Sequence, residues 1–487
     1  MRALMTRVAP LYRGGPAAPI IDRATRRLDE PLRVAIAGRL KAGKSTLLNA
    51  LVGQELAATD AGECTRIVTW FRDGHTYRVQ ALLRDGSARQ LPPGPTGGLL
   101  DLDLGRLGAD DVDRLLVDWP SRALQTMTLI DTPGLDSLSA ELSRRTEAAL
   151  VPGAAGSSEA DAVLYLMRHV HASDMRFLEA FRDDPAKRWP INAVGVLARA
   201  DEVGHARPDA LESASAIAAR YRDDVRVRGL CQTVMPVAGL LGASAATLRE
   251  DEFRALGRLA TGPVADVDRL LLTATRFATA ETDVEVEARR RAVLLERYGL
   301  FGVRLSVRLL REGTVTTAGE LSRELVHHSG LGPLRDVLTT RFAGRADVLR
   351  AQSALTVLEG VIRRWPVAET QGLRHEIEQI TAGAHEFVEV RLLDRLHTGA
   401  VVFPDDERAE AERLLGGEGL APATRLGLPE DARGEEVARA ASAVLGRWQR
   451  RAEHPGSTRA VRETARVLVR TCEGLLAAAR RVGRPAG

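Results

Sequence analysis

LRVAIAGRLKAGKSTLLNALVG, running from Leu32 to Gly53, changes character at its middle. Leu32 to Ala37 is a short apolar run that ends in glycine, the profile of a buried parallel strand entering a turn, and Lys44 to Val52 then reads as a helix. Between them, Gly38-Arg39-Leu40-Lys41-Ala42-Gly43-Lys44-Ser45 fits G-x-x-x-x-G-K-[ST] where that pattern has mechanical meaning, after a strand and opening a helix. The glycines let successive backbone N–H groups turn toward phosphate oxygens, and the helix adds the positive end of its dipole. Lys44 is expected to reach the β- and γ-phosphates, and Ser45 to offer its hydroxyl to Mg²⁺. Thr46 completes the run expected to line a nucleotide.

Working outward, three further stretches fall where such a loop needs companions. Asp131-Thr132-Pro133-Gly134 follows the apolar run Met127–Ile130, so Asp131 is a carboxylate at a strand end that can hold a Mg²⁺ water. The Gly134 amide can approach a γ-phosphate because no side chain blocks it. Thr65 lies in a loop between the first helix and the next strand, where a threonine can ligate Mg²⁺ and report on the γ-phosphate; Thr59 competes for that role. AVGVLARAD, residues 193–201, is a strand running into a loop whose Asp201 can accept two hydrogen bonds from the guanine edge, a pairing that adenine cannot supply. The Arg199 stem or guanidinium can lie on the base face. Pro236-Val237-Ala238-Gly239 follows the last strand, and the amides of Ala238 and Gly239 are candidates to meet the guanine oxygen.

The rest of the chain bounds these readings. At 487 residues, with 45% hydrophobic and 27% charged residues, it has the length and balance of two or three folded domains. A net charge of +3 over this length implies no general attraction to nucleic acid. Cys64, Cys231 and Cys472 are far apart and lack metal-ligand spacing, which argues against a zinc site or a disulfide framework. MRALMTRVAPLYRGG at the start lacks the apolar core of a secretory signal. Charged residues, glycine or proline interrupt every apolar run before the roughly 20 residues needed to span a bilayer. Any membrane contact is therefore expected to be peripheral.

Apolar runs at Ala162–Met167, Ala193–Ala198 and Thr233–Val237 continue the α/β order. Ile67–Phe71 and Tyr77–Leu83, joined by the turn-like Arg72–His75, are expected to extend the sheet antiparallel at one edge. After about Leu240 the periodicity becomes helical to the end, with long pieces at Leu331–Leu358, Leu373–Leu396 and Ala460–Val482. A short helix around Ile20–Leu28 is expected to join that helical half.

With GRLKAGKST, ECTRIVTWF, DTPG and LARADEVG in this order, then a helical tail carrying SGLGPLRDVL at 329–338, the chain resembles the bacterial dynamin-like proteins. Within them it looks most like the shorter member of the isoniazid-inducible group of mycobacteria. The resemblance implies an α/β P-loop GTPase domain, a mostly parallel sheet flanked by helices, plus an α-helical bundle neck or trunk. Its expected boundaries are an N-terminal helix at 1–30 joining the neck, a dynamin-type GTPase domain at 31–340 and a helical trunk at 341–487. It also implies GTP/GDP and Mg²⁺ as cofactors, self-association across GTPase faces, a longer dynamin-like paralogue as a partner, and peripheral contact with anionic lipid at the inner face of the plasma membrane.

The chain departs from that family in two places. Dynamins place polar residues in the variable part of the phosphate loop, which help to hold a charge-compensating monovalent cation, whereas Leu40 and Lys41 stand here. The Lys41 ammonium is expected to substitute for that cation, the alternative being that it points to solvent. Leu135 follows Asp-Thr-Pro-Gly where small GTPases carry a glutamine, so catalysis assigned to Lys44, Lys41, Thr65 and Gly134 needs another way to hold water. Two other readings stay open: an ATPase, because Ala198 and Arg199 replace the usual Asn/Thr-Lys, and a GTP-dependent switch that deforms no lipid. Gly399–Pro404, an apolar loop, and the Arg-rich stretch 447–484 are the two candidate membrane contacts.

Overall fold

A computed structural model describes residues 1–39, 41–54, 56–57, 67–92, 107–108, 110–133, 160–168, 172–183, 192–432 and 434–482. Its sheet is assembled from β1 (Leu32–Gly38), β2 (Val68–Asp73), β3 (Arg78–Leu83), β4 (Ala88–Leu91), β5 (Val112–Trp119), β6 (Met127–Asp131), β7 (Ala162–Met167), β8 (Ala193–Ala198) and β9 (Thr233–Val237). The spatial order is β4-β3-β5-β2-β6-β1-β7-β8-β9. From β6 through β9 every neighbouring pair is parallel, as strands with apolar residues on both faces demand when helices cover both sides. β1 lies between β6 and β7, with Ile36 opposite Asp131 and Gly38 opposite Leu166. The loops leaving the carboxyl ends of β1, β6 and β8 therefore emerge along one rim, where open α/β sheets bind ligands.

The antiparallel extension of the sheet differs from the sequence expectation. β2 and β3 do not pair with each other, because β5 lies between them, parallel to β2 and antiparallel to β3. β5 reads VDRLLVDW, and its adjacent leucines blur the alternation that announces a strand. Its end is held from both sides: Asp118 pairs with Arg72 of β2 at 2.5 Å, and Trp119 meets Tyr77 edge to face with ring centroids 5.4 Å apart.

Beyond Val237 the described residues are helical or irregular. Helices from Gly239–Ala246 to Ala318–His328 form their own apolar core around Leu241, Leu256, Phe277, Leu294, Tyr298 and Leu321. Each such buried side chain contributes about 1.5–3 kcal/mol relative to exposure. The expected helix Leu331–Leu358 is a rod of several windings, α over Leu331–Val337, π over Leu338–Phe342, 3₁₀ over Ala343–Arg345, and α again over Ala346–Arg364. Leu373–Leu396 is two helices, Thr370–Gly383 and His385–His397, broken where Ala384 turns to an extended ψ of 119°. Gly434–Glu453 and Arg459–Val482 form a helical pair at the end of the described chain.

The N-terminal helices, Arg2–Val8 and Ala18–Arg27, bury Leu4, Met5, Val8 and Ile21 against Leu355, Leu358 and Ile362 of Ala346–Arg364. Arg27 reaches Asp161, just before β7, at 2.6 Å, and the Arg33 amide donates to the same carboxylate at 3.0 Å. A buried pair of this kind is costly to break from one side, about 3–5 kcal/mol, because the remaining charge stays buried.

Candidate nucleotide-binding site

β1 delivers the chain to the loop at Gly38, whose φ is +148°. A Cβ there would stand 2.6 Å from the Leu166 carbonyl oxygen, so the loop can leave the sheet over β7 only without a side chain. Lys41 (φ 60°) and Gly43 (φ 99°) are also left-handed, which bends the loop back on itself before the helix Lys44–Val52 begins. Lys44 is buried, and its Nζ donates to the carbonyl oxygens of Gly38 and Arg39, each at 3.3 Å. Burial pushes its ammonium below the usual lysine range, and the nearby Asp131 carboxylate opposes that shift. The ammonium is thus curled over the loop with weak neutral partners, a position from which phosphate oxygens can compete for it.

Asp131 ends β6, and its Oδ2 accepts from the Ser45 hydroxyl at 2.9 Å. Burial pushes this carboxyl above the usual range, against the pull of Lys44, Ser45 and the Thr132 amide. Among the described residues, its Oδ1 is buried without a hydrogen-bond partner. An orphaned carboxylate oxygen beside a hydroxyl is a hard-oxygen donor set that fits Mg²⁺, directly or through water. Thr132 is pinned by a bond from its Oγ1 to the Ile36 carbonyl at 2.9 Å, which ties the β6 exit to β1. Leu40, Thr59, Thr65, Gly134 and Leu135 lie outside the described residues.

Next to the phosphate loop is a cavity of about 180 Å³. One wall is Ala42, Gly43, Thr46 and Leu47; another is Ala198, Arg199 and Asp201 at the end of β8; Gly239 and Leu240 close it beyond β9. Asp201 is buried, and desolvation pushes its carboxyl up to about 6. Arg199, left-handed at φ 55°, lines the cavity and donates to the Lys41 carbonyl oxygen at 3.1 Å, so the β8 loop and the phosphate loop are joined directly. Its guanidinium also pairs with Glu202 at 2.9 Å. Lys41 itself is exposed.

Ala238 departs from its expected place. It is fully buried, and its amide donates to the Ser329 carbonyl oxygen at 2.8 Å, so it is committed before any base arrives. Gly239, at the first position of the helix Gly239–Ala246, faces the cavity instead.

The structure adds to the site residues of SGLGPLRDVL, a stretch given no part in it by the sequence reading. Gly330 has φ 76°, and a Cβ there would fall 2.4 Å from the Pro236 carbonyl oxygen, so SGLGPLR packs its backbone against the end of β9. Arg335 of the same stretch donates to the Ala50 carbonyl oxygen at 2.8 Å, at the C-terminal end of the phosphate-loop helix. The dense glycines of Ser329–Arg335 were the available signal.

These elements have counterparts in known proteins. Residues 33–194 match the model of the 50S ribosome-binding GTPase family. Over 485 residues the chain is 41% identical to the isoniazid-induced protein IniC of Mycobacterium tuberculosis, covering 98% of each chain. The chain belongs to the isoniazid-induced dynamin-like family. It is 31% identical over 121 residues to a bacterial dynamin-like protein of Nostoc punctiforme, covering 22% of this chain and 17% of that one. It is also 32% identical over 142 residues to the isoniazid-induced protein IniA of Mycobacterium tuberculosis, covering 27% and 21% respectively. The matched segment supplies a GTPase domain to a chain whose remaining described length is largely helical. Among the described residues, no helix is long and apolar enough to cross a membrane.

Proposed function

We propose that the chain binds GTP with Mg²⁺, hydrolyses it to GDP and phosphate, self-associates through its GTPase faces, and maintains or remodels the plasma membrane from its inner face. The observation that carries the nucleotide reading is the buried Asp201 carboxylate in a cavity continuous with the phosphate loop. A buried carboxylate on the cavity wall suits the paired N–H donors of guanine and repels the ring nitrogen that adenine presents in their place. In this reading Lys44 leaves the Gly38 and Arg39 carbonyls for the β- and γ-phosphates, while loop amides and the helix dipole take up the remaining charge. Ser45 and Asp131, with Thr65, hold the Mg²⁺, which when bound neutralises charge on the γ-phosphoryl oxygens. A water oxygen bonds to the γ-phosphorus as the bond to the β–γ bridging oxygen breaks, and Lys41 contributes a positive charge near that bridge.

Leu135 cannot orient this water, so backbone groups near Thr65 or a partner protomer must do so. Basal turnover is then slow and rises with association. Steady-state GTP turnover across a range of protein concentrations tests this, with a competition of ATP against GTP for binding. A constant specific rate removes the dimer step, and equal affinities remove the guanine step.

A second reading, a GTP-dependent switch that does not deform lipid, draws support from the Gly399–Pro404 loop. Val401 and Phe403 are buried in the helical core, with Phe403 edge-on to Trp448 at 5.5 Å, while Val402 projects, 77% exposed, between the exposed Ala400 and Pro404. In the basic C-terminal stretch, Arg447 pairs with Glu410, Arg451 with Glu407 and Arg459 with Glu463. Co-sedimentation with anionic liposomes in each nucleotide state separates the readings, since failure in every state leaves the switch.

A further inference from the structure

The helix Ala288–Arg311 is one rod broken in its middle. Gly299 has φ 64° and ψ 171°, a conformation essentially closed to residues with a Cβ, and the helix kinks there. The kink lies beside the cavity. A Cβ built on Gly299 would stand 3.5 Å from Asp201 Oδ2 and 4.0 Å from Leu240 Cδ2, so the bare backbone of this residue backs both the carboxylate and one closing wall.

Beyond the kink the same helix grips the loop that carries Asp201. Arg304 donates from Nη1 to the carbonyl oxygens of Ala206 at 2.6 Å and His205 at 3.4 Å. His205 and Ala206 have φ of 62° and 58°, so they occupy left-handed conformations that need support from outside the loop. The other face of the guanidinium is fixed, with Nε and Nη2 donating to the Leu271 carbonyl oxygen at 2.9 and 2.6 Å. Before the kink, Arg297 is anchored to Glu252 at 2.7 Å. Gly302, where a Cβ would fall 2.8 Å from Leu241 Cδ1, lets the second half lie close against the helix that bears Leu240. The helix is therefore clamped at both ends of its kink.

We infer that Gly299 and Arg304 are positioning residues for base recognition, setting the Asp201 carboxylate against the 2-amino group of guanine from outside the nucleotide motifs. This rests on the reading of the cavity as a guanine subsite. A buried carboxylate on a cavity wall is only as well placed for a ligand as the surfaces behind it are fixed. An alanine at 299 must unwind the kink, and a glutamine at 304 cannot reach both the Leu271 and the Ala206 carbonyls.

Inosine triphosphate provides the test, because it keeps N1–H and lacks the 2-amino group. Dissociation constants for GTP and inosine triphosphate are measured by calorimetry on wild type, Gly299→Ala, Arg304→Gln, Arg304→Lys and Asp201→Asn, each checked for folding by thermal melt. In Gly299→Ala and Arg304→Gln the GTP preference should shrink by roughly tenfold, the value of one bond to a charged acceptor, with Arg304→Lys restoring part of it. A merely structural role would weaken both nucleotides equally, and an unchanged ratio in folded Gly299→Ala and Arg304→Gln overturns the inference. Should Arg304→Gln alone fold, its ratio decides. Should Asp201→Asn also leave the ratio unchanged, the guanine subsite itself is refuted; a shift in Asp201→Asn alone leaves that subsite standing and removes only the positioning role.

Discussion

Asp201 is 5% exposed on the wall of the cavity, where burial pushes its carboxyl up to about 6 from an ordinary 3.8. A folded-state value above the unfolded one means that the folded chain holds this proton more tightly. The resulting stabilisation is full below 3.8 and is lost as pH rises through 6, so at neutral pH the ionised carboxylate destabilises the nucleotide-free protein. The gap corresponds to about 3 kcal/mol. Asparagine keeps the shape and removes the charge. Nucleotide-free Asp201→Asn should therefore be more stable than wild type near neutral pH by up to about 3 kcal/mol, and should lose less stability between about pH 4 and pH 7. Guanine binding should move the opposite way. The carboxylate accepts from N1–H and the 2-amino group, whereas asparagine accepts from one and turns its own N–H toward the other. Bonds to a charged acceptor are worth about 1.5–3 kcal/mol each, so GTP affinity should fall roughly a hundredfold. Xanthosine triphosphate presents an oxygen at C2 to the new N–H donor and should bind the variant better than GTP does. Thermal melts across pH and calorimetric titration with both nucleotides read all three effects. A variant less stable than wild type near neutral pH and still preferring GTP would refute the reasoning.

Three further outcomes are expected. Gly38→Ala places a Cβ 2.6 Å from the Leu166 carbonyl oxygen and should displace the loop, lowering nucleotide affinity by roughly tenfold or more in a folded protein, read by titration and circular dichroism. Lys41→Ala should slow hydrolysis by roughly ten- to a hundredfold, with wild-type turnover independent of potassium, since the ammonium supplies the charge that a cation would otherwise bring; a wild type that requires potassium contradicts it. Phe403→Ala should destabilise the helical half by about 3–5 kcal/mol in denaturant unfolding, whereas Val402→Ala should cost almost nothing, because Phe403 packs on Trp448 and Val402 faces out.

The parallel half of the sheet was legible because β1, β6, β7, β8 and β9 are short apolar runs ended by loop residues, the first four buried on both faces and β9 half-buried at the sheet edge, and they are found within a residue or so of where the runs begin and stop. The antiparallel half was less so. β5 carries Asp113, Arg114 and Asp118 among its apolar residues, and its end is held by contacts with Arg72 of β2 and with Tyr77 just before β3. In the helical half, periodicity predicted the helices and missed where they change winding. The break at Ala384 is marked only by Gly383 before it, and the π turn at Leu338–Phe342 has no proline or glycine within it, so neither interrupts the apolar periodicity.

The two sides of the candidate site were unequally legible for a physical reason. Phosphate is gripped mainly by backbone amides and one ammonium, so contiguous residues suffice, and their glycines are fixed by conformation as well as by contact: Gly38 could not be anything else beneath Leu166. A base is recognised inside a cavity whose walls come from wherever the fold brings them. Asp201 was visible as a carboxylate after a strand, yet what holds it is the kink at Gly299 and the Arg304 clamp on Ala206, far along the chain in a segment that periodicity reads as plain helix. Ala238 shows the same limit from the other side. Its place after β9 suggested an amide for the base, but Ser329 takes that amide, and of the two residues expected there only Gly239, where a helix begins, lines the cavity.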